Sequence, residues 1–304
     1  MNYRSNLEKV LSQGKFTVTA EIGPPKGSDP EKIRKKAEVL KGHADAFNIT
    51  DNQTAVVRMS SIAGCTILLN MDMEPLMQIT CRDRNRIALQ SDVLGAAAIG
   101  IKNILCLTGD HQSFGNHPSA KGVYDIDSIQ LIQILKNMRD NGIFQSGDEI
   151  ISGRPEIFIG AAANPFADPY ELRIDRLEKK VRSGADFIQT QSVFNVDKFN
   201  EWMDEVRSRG LDNKIHILAG ITPLKSLKMT ERMKFHVPGV DIPEDIYKRM
   251  KTAVDPKKEG YGIALELINE IKQIKGVHGI HITALFWEES IPSLVKDSAL
   301  LPRS

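Results

Sequence analysis

The 304-residue chain is 41% hydrophobic and 26% charged, a composition that excludes a disordered chain or a coiled coil and leaves room for one large barrel or two smaller domains. Forty Lys and Arg residues against thirty-nine Asp and Glu leave a net charge of +1, so no broad field draws the protein to nucleic acid or anionic lipid. No stretch approaches the roughly 18 unbroken apolar residues of a membrane span, and the start, MNYRSNLEKVLSQGK, lacks a signal-peptide core; a cytoplasmic protein is expected.

Short β-branched runs alternate with longer stretches of helical period. FTVTAEI (16–22) predicts a first strand that ends in the carboxylate of Glu21 and is stopped by Gly-Pro-Pro, and DPEKIRKKAEVLKG (29–42) predicts a helix behind it. AFNIT (46–50) and LMQITCR (76–82) follow as strands. The helix DRNRIALQSDVLGAAAIG (83–100) leads to NILCLTG (103–109), and DIDSIQLIQILKNMRDNG (125–142) leads to EIFIGAAAN (156–164). DPYELRIDRLEKKVRSG (168–184), FIQTQS (187–192), DKFNEWMDEVRSRG (197–210) and IHILAGI (215–221) continue the alternation. Two or three helical patterns fill 225–276 before GIHITALF (279–286).

Several of these helices open with Asp and close with Gly, the usual start and stop signals. Eight strands with helices between them predict an α/β fold, a (β/α)8 TIM barrel with extra helices between strands seven and eight, built as one domain over 1–304. A doubly wound open sheet is the alternative, but no G-x-G-x-x-G follows the first strand. Cys65, Cys81 and Cys106 are far apart and form no C-x-x-C pair, so buried inert thiols are expected, with no metal site and no iron–sulfur cluster.

In such a barrel the C-terminal strand ends converge. Glu21 ends strand one, and Thr50 and Asp51 end strand two. Gln78, Thr80 and Arg82 line strand three, and Thr108-Gly109-Asp110 ends strand four. Asn164, then Gln189 and Gln191, then Gly220-Ile221-Thr222-Pro223 close strands five to seven. Carboxylates, amides and hydroxyls without metal ligands suit a site that binds a polar heterocycle and moves protons. Each has a plainer reading. Glu21 could cap a helix or pair with an Arg, Asp110 could cap a turn in the polar loop HQSFGNHPSAKG, and Gln191 could be a satisfied core amide. His111 and His117 in that loop read as solvated, and the Met-rich NMDMEPLMQ as core filling. Convergence on one face is what favours a site.

Glu21 followed by Pro24-Pro25, Thr50, the ITC of 79–81, LTGD (107–110), GAD with QTQ (184–191) and AGITP (219–223), in this order and spacing, resemble the methylenetetrahydrofolate reductase family over about residues 15–290. The resemblance implies a flavin-bearing (β/α)8 barrel, with FAD or alternatively FMN, that reduces 5,10-methylenetetrahydrofolate to 5-methyltetrahydrofolate. It implies Glu21 as general acid and Asp110 as an electrostatic partner beside the flavin, both touching substrate, and Gln191 as a hydrogen-bonding partner of the pterin. For the cofactor it implies Thr50, Gln78, Thr80, Thr108, Gly109, Asp110, Tyr124, Ala162 and Asn164. Arg173, Arg176 and Lys180, on one helical face at i, i+3 and i+7, would receive the diphosphate, although a solvated basic stripe would read the same way.

The chain also departs from bacterial NADH-dependent members. Gln78 stands for a His, Thr108 for an Arg, Met233 for a stacking Phe, and Phe286-Trp287 for an Asn-Arg. Losing an aromatic platform weakens direct NAD(P)H oxidation. The pattern is similar to the anaerobic, acetogen-type branch, which implies an electron-delivering partner subunit, and an oligomer is expected. The rival readings are a flavin-free aldolase-like barrel, for which Lys102 lies at the wrong strand end, and a non-catalytic barrel subunit.

Overall fold

A computed structural model describes residues 3–303. Eight parallel strands close into a barrel in sequence order: β1 Thr17–Ile22, β2 Ala46–Ile49, β3 Pro75–Thr80, β4 Asn103–Leu107, β5 Phe158–Ala163, β6 Phe187–Ser192, β7 His216–Ile221 and β8 Gly279–Ile282. All eight fall inside the runs read from the sequence, apart from the one added residue at Pro75. The largest difference is at β8, whose ladder stops at Ile282 and frees 283–286 as a loop. The barrel closes where β1 meets β8, with Thr19 opposite His281.

The helices are α1 Asn6–Ser12, α2 Glu31–Leu40, α3 Ser61–Leu69, α4 Arg86–Ala98, α5 Ser128–Asp140, α6 Glu171–Ser183, α7 Val196–Ser208, α8 Leu227–His236, α9 Glu244–Thr252, α10 Pro256–Ile271 and α11 Ile291–Asp297. The segment after β7 therefore holds three of them. Asp127 caps α5 reciprocally with Gln130, and Gly184, at φ 105°, ends α6, as those residue types predict. At α4 and α7 the nearby asparagines, Asn85 and Asn195, are the caps instead of the Asp read from the sequence.

Because side chains alternate along a strand, one face of each strand lines the barrel and the other packs on the helices. Outward residues such as Val18, Ala20, Ile22, Ile188, Ile217, Ala219, Ile280 and Ile282 are buried against the helical shell. Inward residues form layers. At the floor, Ala46, Leu76, Leu105, Phe158, Phe187 and Leu218 pack with Leu7 and Leu11 of α1, a helix held across the N-terminal strand ends by Glu74, which accepts from the Asn6 amide at 3.0 Å and from Asn103 Nδ2 at 2.8 Å. The Phe158 and Phe187 rings stack at 5.1 Å, and Gly160 gives them room, since a Cβ there would lie 2.2 Å from Phe187 Cζ. Above the floor a polar layer crosses the barrel. Gln189 and Asn48 exchange amide hydrogen bonds at 2.7 and 3.1 Å, Gln189 Nε2 also donates to Thr19 Oγ1 at 3.0 Å, and that hydroxyl meets His281 Nδ1 at 3.0 Å.

All three cysteines are buried thiols, with burial pushing Cys81 up to about 12. Among the described residues no helix is long and apolar enough to cross a membrane. Overfilling the floor gives a direct test of the layering. Gly160→Ala should lower unfolding free energy by about 2 to 3 kcal/mol in denaturant titrations, and Gly160→Ala combined with Phe187→Leu should be more stable than Gly160→Ala alone.

Candidate functional site

Parallel strands place all eight C-terminal ends on one rim, so the strand-end residues meet there. Glu21 faces inward directly above the Thr19 and His281 layer, with 12% of its side chain exposed. That is enough to be reached from the mouth and too little to be hydrated as an anion. Its donors are neutral: Gln53 Nε2 reaches Oε1 at 3.3 Å, and the Gln78 amide also hydrogen-bonds the carboxyl. The nearest basic chain, Lys36, is drawn off to Glu288 at 2.5 Å. Burial pushes Glu21 from its ordinary 4.5 up to about 7, against the smaller pull of the two amides and Lys36. His281 Nε2 stands 3.9 Å from Glu21 Oε2, but burial pushes its pKa down to about 4, so the imidazole is neutral and the two are not an ion pair.

The Thr19 hydroxyl, which accepts from Gln189, lies 3.0 Å from His281 Nδ1 and 3.5 Å from Ile280 O, and on the other side of the ring His281 Nε2 approaches Thr283 Oγ1 at 3.3 Å and faces Glu21.

On the far side of the mouth, Asp110 is exposed, and its carboxylate accepts from the Thr54 amide at 3.2 Å. Its backbone is fixed by two donors into its carbonyl, Arg82 Nη1 at 3.1 Å and Tyr124 Oη at 3.1 Å. Buried Arg82 also reaches Asn52 O at 3.2 Å and both oxygens of Asp83, tying the loops after β2, β3 and β4 together. Gly109, at φ 93°, threads between Thr80 and Arg82, and a Cβ there would sit 3.0 Å from Arg82 Cβ.

Gln191 is exposed at the end of β6 by a bulge. Gln189 pairs with Leu218 but Ser192 pairs with Gly220, so β6 carries one residue more. Gly220 permits it, because a Cβ there would lie 2.5 Å from Thr190 O.

The remaining predicted residues divide by whether their polar groups are already engaged. Thr50 Oγ1 is buried without a partner, and Ala162 presents no polar side chain at the end of β5. Thr80 gives its hydroxyl to Asp51 at 2.9 Å, and Thr108 accepts from the Ser128 amide at 3.2 Å to anchor the start of α5. Asn164 Oδ1 accepts from the Phe166 amide at 3.0 Å. Of the basic face, Arg173 donates to the carbonyls of Ala167 and Pro165 and lies 4.6 Å over the Tyr170 ring. Lys180 is buried and donates to the Ala162 carbonyl, its pKa pulled down to about 8 by burial and by Arg176. Arg176 is exposed. Met233 is buried in α8. Sequence reading missed Gln53, Thr19, His281 and Lys36 around Glu21. Two-residue alternation from Glu21 to Thr19, and register with GIHIT, is the signal that points to His281.

Glu21 makes stability depend on pH in a defined direction. Its protonated form favours the folded state fully below about pH 4.5, and the advantage is lost as pH rises through about 7, an effect of about 3 kcal/mol. Glu21→Gln should therefore gain about 3 kcal/mol on wild type between pH 4.5 and 8 in chemical denaturation. A constant difference across that range would contradict a buried carboxyl without a cationic partner.

The family model for methylenetetrahydrofolate reductase matches residues 6–299. A methylenetetrahydrofolate reductase of Schizosaccharomyces pombe is 26% identical over 246 residues, covering 77% of this chain and 37% of the yeast protein. The chain thus spans little more than a third of that relative's length. A 5,10-methylenetetrahydrofolate reductase of Pectobacterium carotovorum is 24% identical over 294 residues, covering 93% of this chain and 91% of that one. Among solved structures, a Clostridium thermocellum protein that binds two copies of 5-methyl-5,6,7,8-tetrahydrofolic acid shares the fold at TM-score 0.67 and 17% identity, covering 98% of this chain and all of that one.

Proposed function

The chain belongs to the methylenetetrahydrofolate reductase family, and from that premise we propose that it is a flavin-dependent reductase of 5,10-methylenetetrahydrofolate in which Glu21 donates the proton. The observation that carries this reading is the Glu21 environment: a carboxyl at a barrel mouth, desolvated, with neutral amides for donors and a pKa near 7. In the substrate one carbon is bridged between two nitrogens and accepts hydride poorly until one C–N bond opens. The Glu21 carboxyl gives its proton to the leaving nitrogen, the ring opens to an iminium, and Glu21 is left as the carboxylate.

The Asp110 carboxylate, held across the mouth by Thr54, stabilises that cation. Gln191, turned out by the β6 bulge, supplies an amide to the donor–acceptor edge of the pterin. Thr50, with its unpartnered buried hydroxyl, and the small Gly109 and Ala162 fit a planar cofactor at the ends of β2, β4 and β5, with Tyr124, Asn164 and the exposed Arg176 bordering it. A bound flavin, FAD on this reading, supplies the hydride. Gln78 acts through Glu21, Thr80 and Thr108 hold the loops the cofactor meets, and Arg173 and Lys180 hold the carbonyls at the end of β5.

Electrons arrive through a partner subunit on this reading, since Met233 is buried and Thr108 is engaged with α5. The purified chain should therefore accept electrons from a low-potential dye yet oxidise NADH slowly, and NADH turnover with methylenetetrahydrofolate at ordinary enzyme rates would contradict it. Glu21→Gln should leave flavin reduction intact and slow the folate half-reaction by about 10²- to 10⁴-fold. The wild-type folate half-reaction should slow as pH rises through about 7, and equal loss of both half-reactions in the variant would remove Glu21 from its role.

A further inference from the structure

The connection that leaves β2 carries three left-handed residues, none of them glycine: Asn52 at φ 44°, Thr54 at φ 55° and Ala55 at φ 56°. Asparagine tolerates that region, but a β-branched threonine and an alanine adopt it at a cost and keep it only where their surroundings impose it. Those surroundings are close on several sides. Asn52 accepts from Arg82 Nη2 on its carbonyl at 3.2 Å and from the Arg58 amide on its side chain at 3.0 Å. The Thr54 hydroxyl donates back to Gln53 O at 2.7 Å. Further along, Arg58 Nη1 donates to Pro24 O at 3.0 Å and the Met59 amide to Pro25 O at 2.9 Å, which fastens the connection to the turn that follows Glu21. From the other side the loop after β4 packs so tightly that a Cβ on Gly115 would run into Ala55 O.

Two consecutive residues of this strained stretch hold the two carboxylates of the mouth. Gln53 Nε2 donates to Glu21 Oε1 at 3.3 Å, and the next backbone amide, that of Thr54, donates to Asp110 Oδ2 at 3.2 Å. We propose that Gln53 is a positioning residue for the acid, and that Gln53 and Thr54 together register Glu21 against Asp110, an inference that rests on the folate reading above. Proton delivery and stabilisation of the cation it creates act on one ligand, so the two carboxylates must keep a fixed relation to each other. A strained link fixed at both ends does this; a slack one would let them drift. The amide of Gln53 orients the carboxyl with a donor that carries no charge, so the acid keeps its proton. The other groups facing Glu21 are Gln78 of β3, neutral His281 of β8, and Lys36 and Glu288, which pair with each other. Of these neighbours, Gln53 is the one whose next residue in the chain grips Asp110.

The test titrates Glu21 in the flavin-loaded chain by the infrared carbonyl stretch of its protonated carboxyl, identified by its loss in Glu21→Gln. Gln53→Leu removes a donor that favours the carboxylate, so the midpoint should rise above the wild-type value of about 7, whereas Gln53→Lys sets a cation there and should bring it down by about 1 to 3 pH units. A merely structural role would move both the same way or neither. Below the midpoint, where the acid is already protonated, Gln53→Leu should still slow the folate half-reaction about tenfold and leave dye-driven flavin reduction unchanged. Gly115→Ala presses on Ala55 from the neighbouring loop, and it should raise the midpoint and slow the folate half-reaction in the same sense as Gln53→Leu. Midpoints that stay put or move together in the two Gln53 variants would overturn the role of Gln53, and wild-type behaviour of Gly115→Ala would overturn registration through the strained stretch. Opposite midpoint shifts in a chain that turns over no methylenetetrahydrofolate would support Gln53 as the residue that positions the acid and bring down the folate reading alone.

Discussion

The site is organised around one buried carboxyl that the fold leaves without a cation. Glu21 has every reason, by depth, to seek a basic partner, yet its donors are two amides, its histidine neighbour is neutral, and Lys36 is held by Glu288. Asp51, one strand away at the end of β2, shows the alternative. It is buried as well, but Arg84 grips both of its oxygens at 2.7 and 3.3 Å and Thr80 adds two hydrogen bonds. Adjacent strands thus end in acids with opposite surroundings, one built into a structural ion pair and one desolvated without a cation.

The two layers beneath Glu21 serve that arrangement. An apolar floor locks the strands through interdigitated rings, and the polar layer above it satisfies its own members through Asn48, Gln189, Thr19 and His281. Because those groups pair with one another, none of them is left to neutralise the carboxyl. The mouth in turn is stiffened by Arg82, whose four hydrogen bonds span three loops and hold the Asp110 carbonyl.

Most of the barrel was legible from residue type and period. Strands such as FTVTAEI and IHILAGI carry β-branched runs, the helices between them show apolar stripes, and the strand-end list already contained Glu21, Asp110 and Gln191. What escaped has physical causes. SIAGCTILL of α3 is apolar around its whole circumference and gives no stripe, while its Gly64 lets it press onto Ile49. Pairings such as Thr19 with His281, or Gln53 with Glu21, join residues far apart in sequence, and only the register brings them together. The basic stripe of α6 read as a single surface, yet Arg173 turns to loop carbonyls, Lys180 is buried and only Arg176 is left in solvent. Side-chain reach, which spacing alone does not encode, separates them.

The short first helix has a further consequence. With Leu7 and Leu11 fully sunk among the floor residues, the barrel is a blind well, stoppered at its base. The packed floor closes the base of the barrel beneath the acid. On the proposed reading, the hydrogen ion that Glu21 gives up is replenished through the same opening by which ligands come and go, so recharging the acid waits on the departure of whatever covers the mouth.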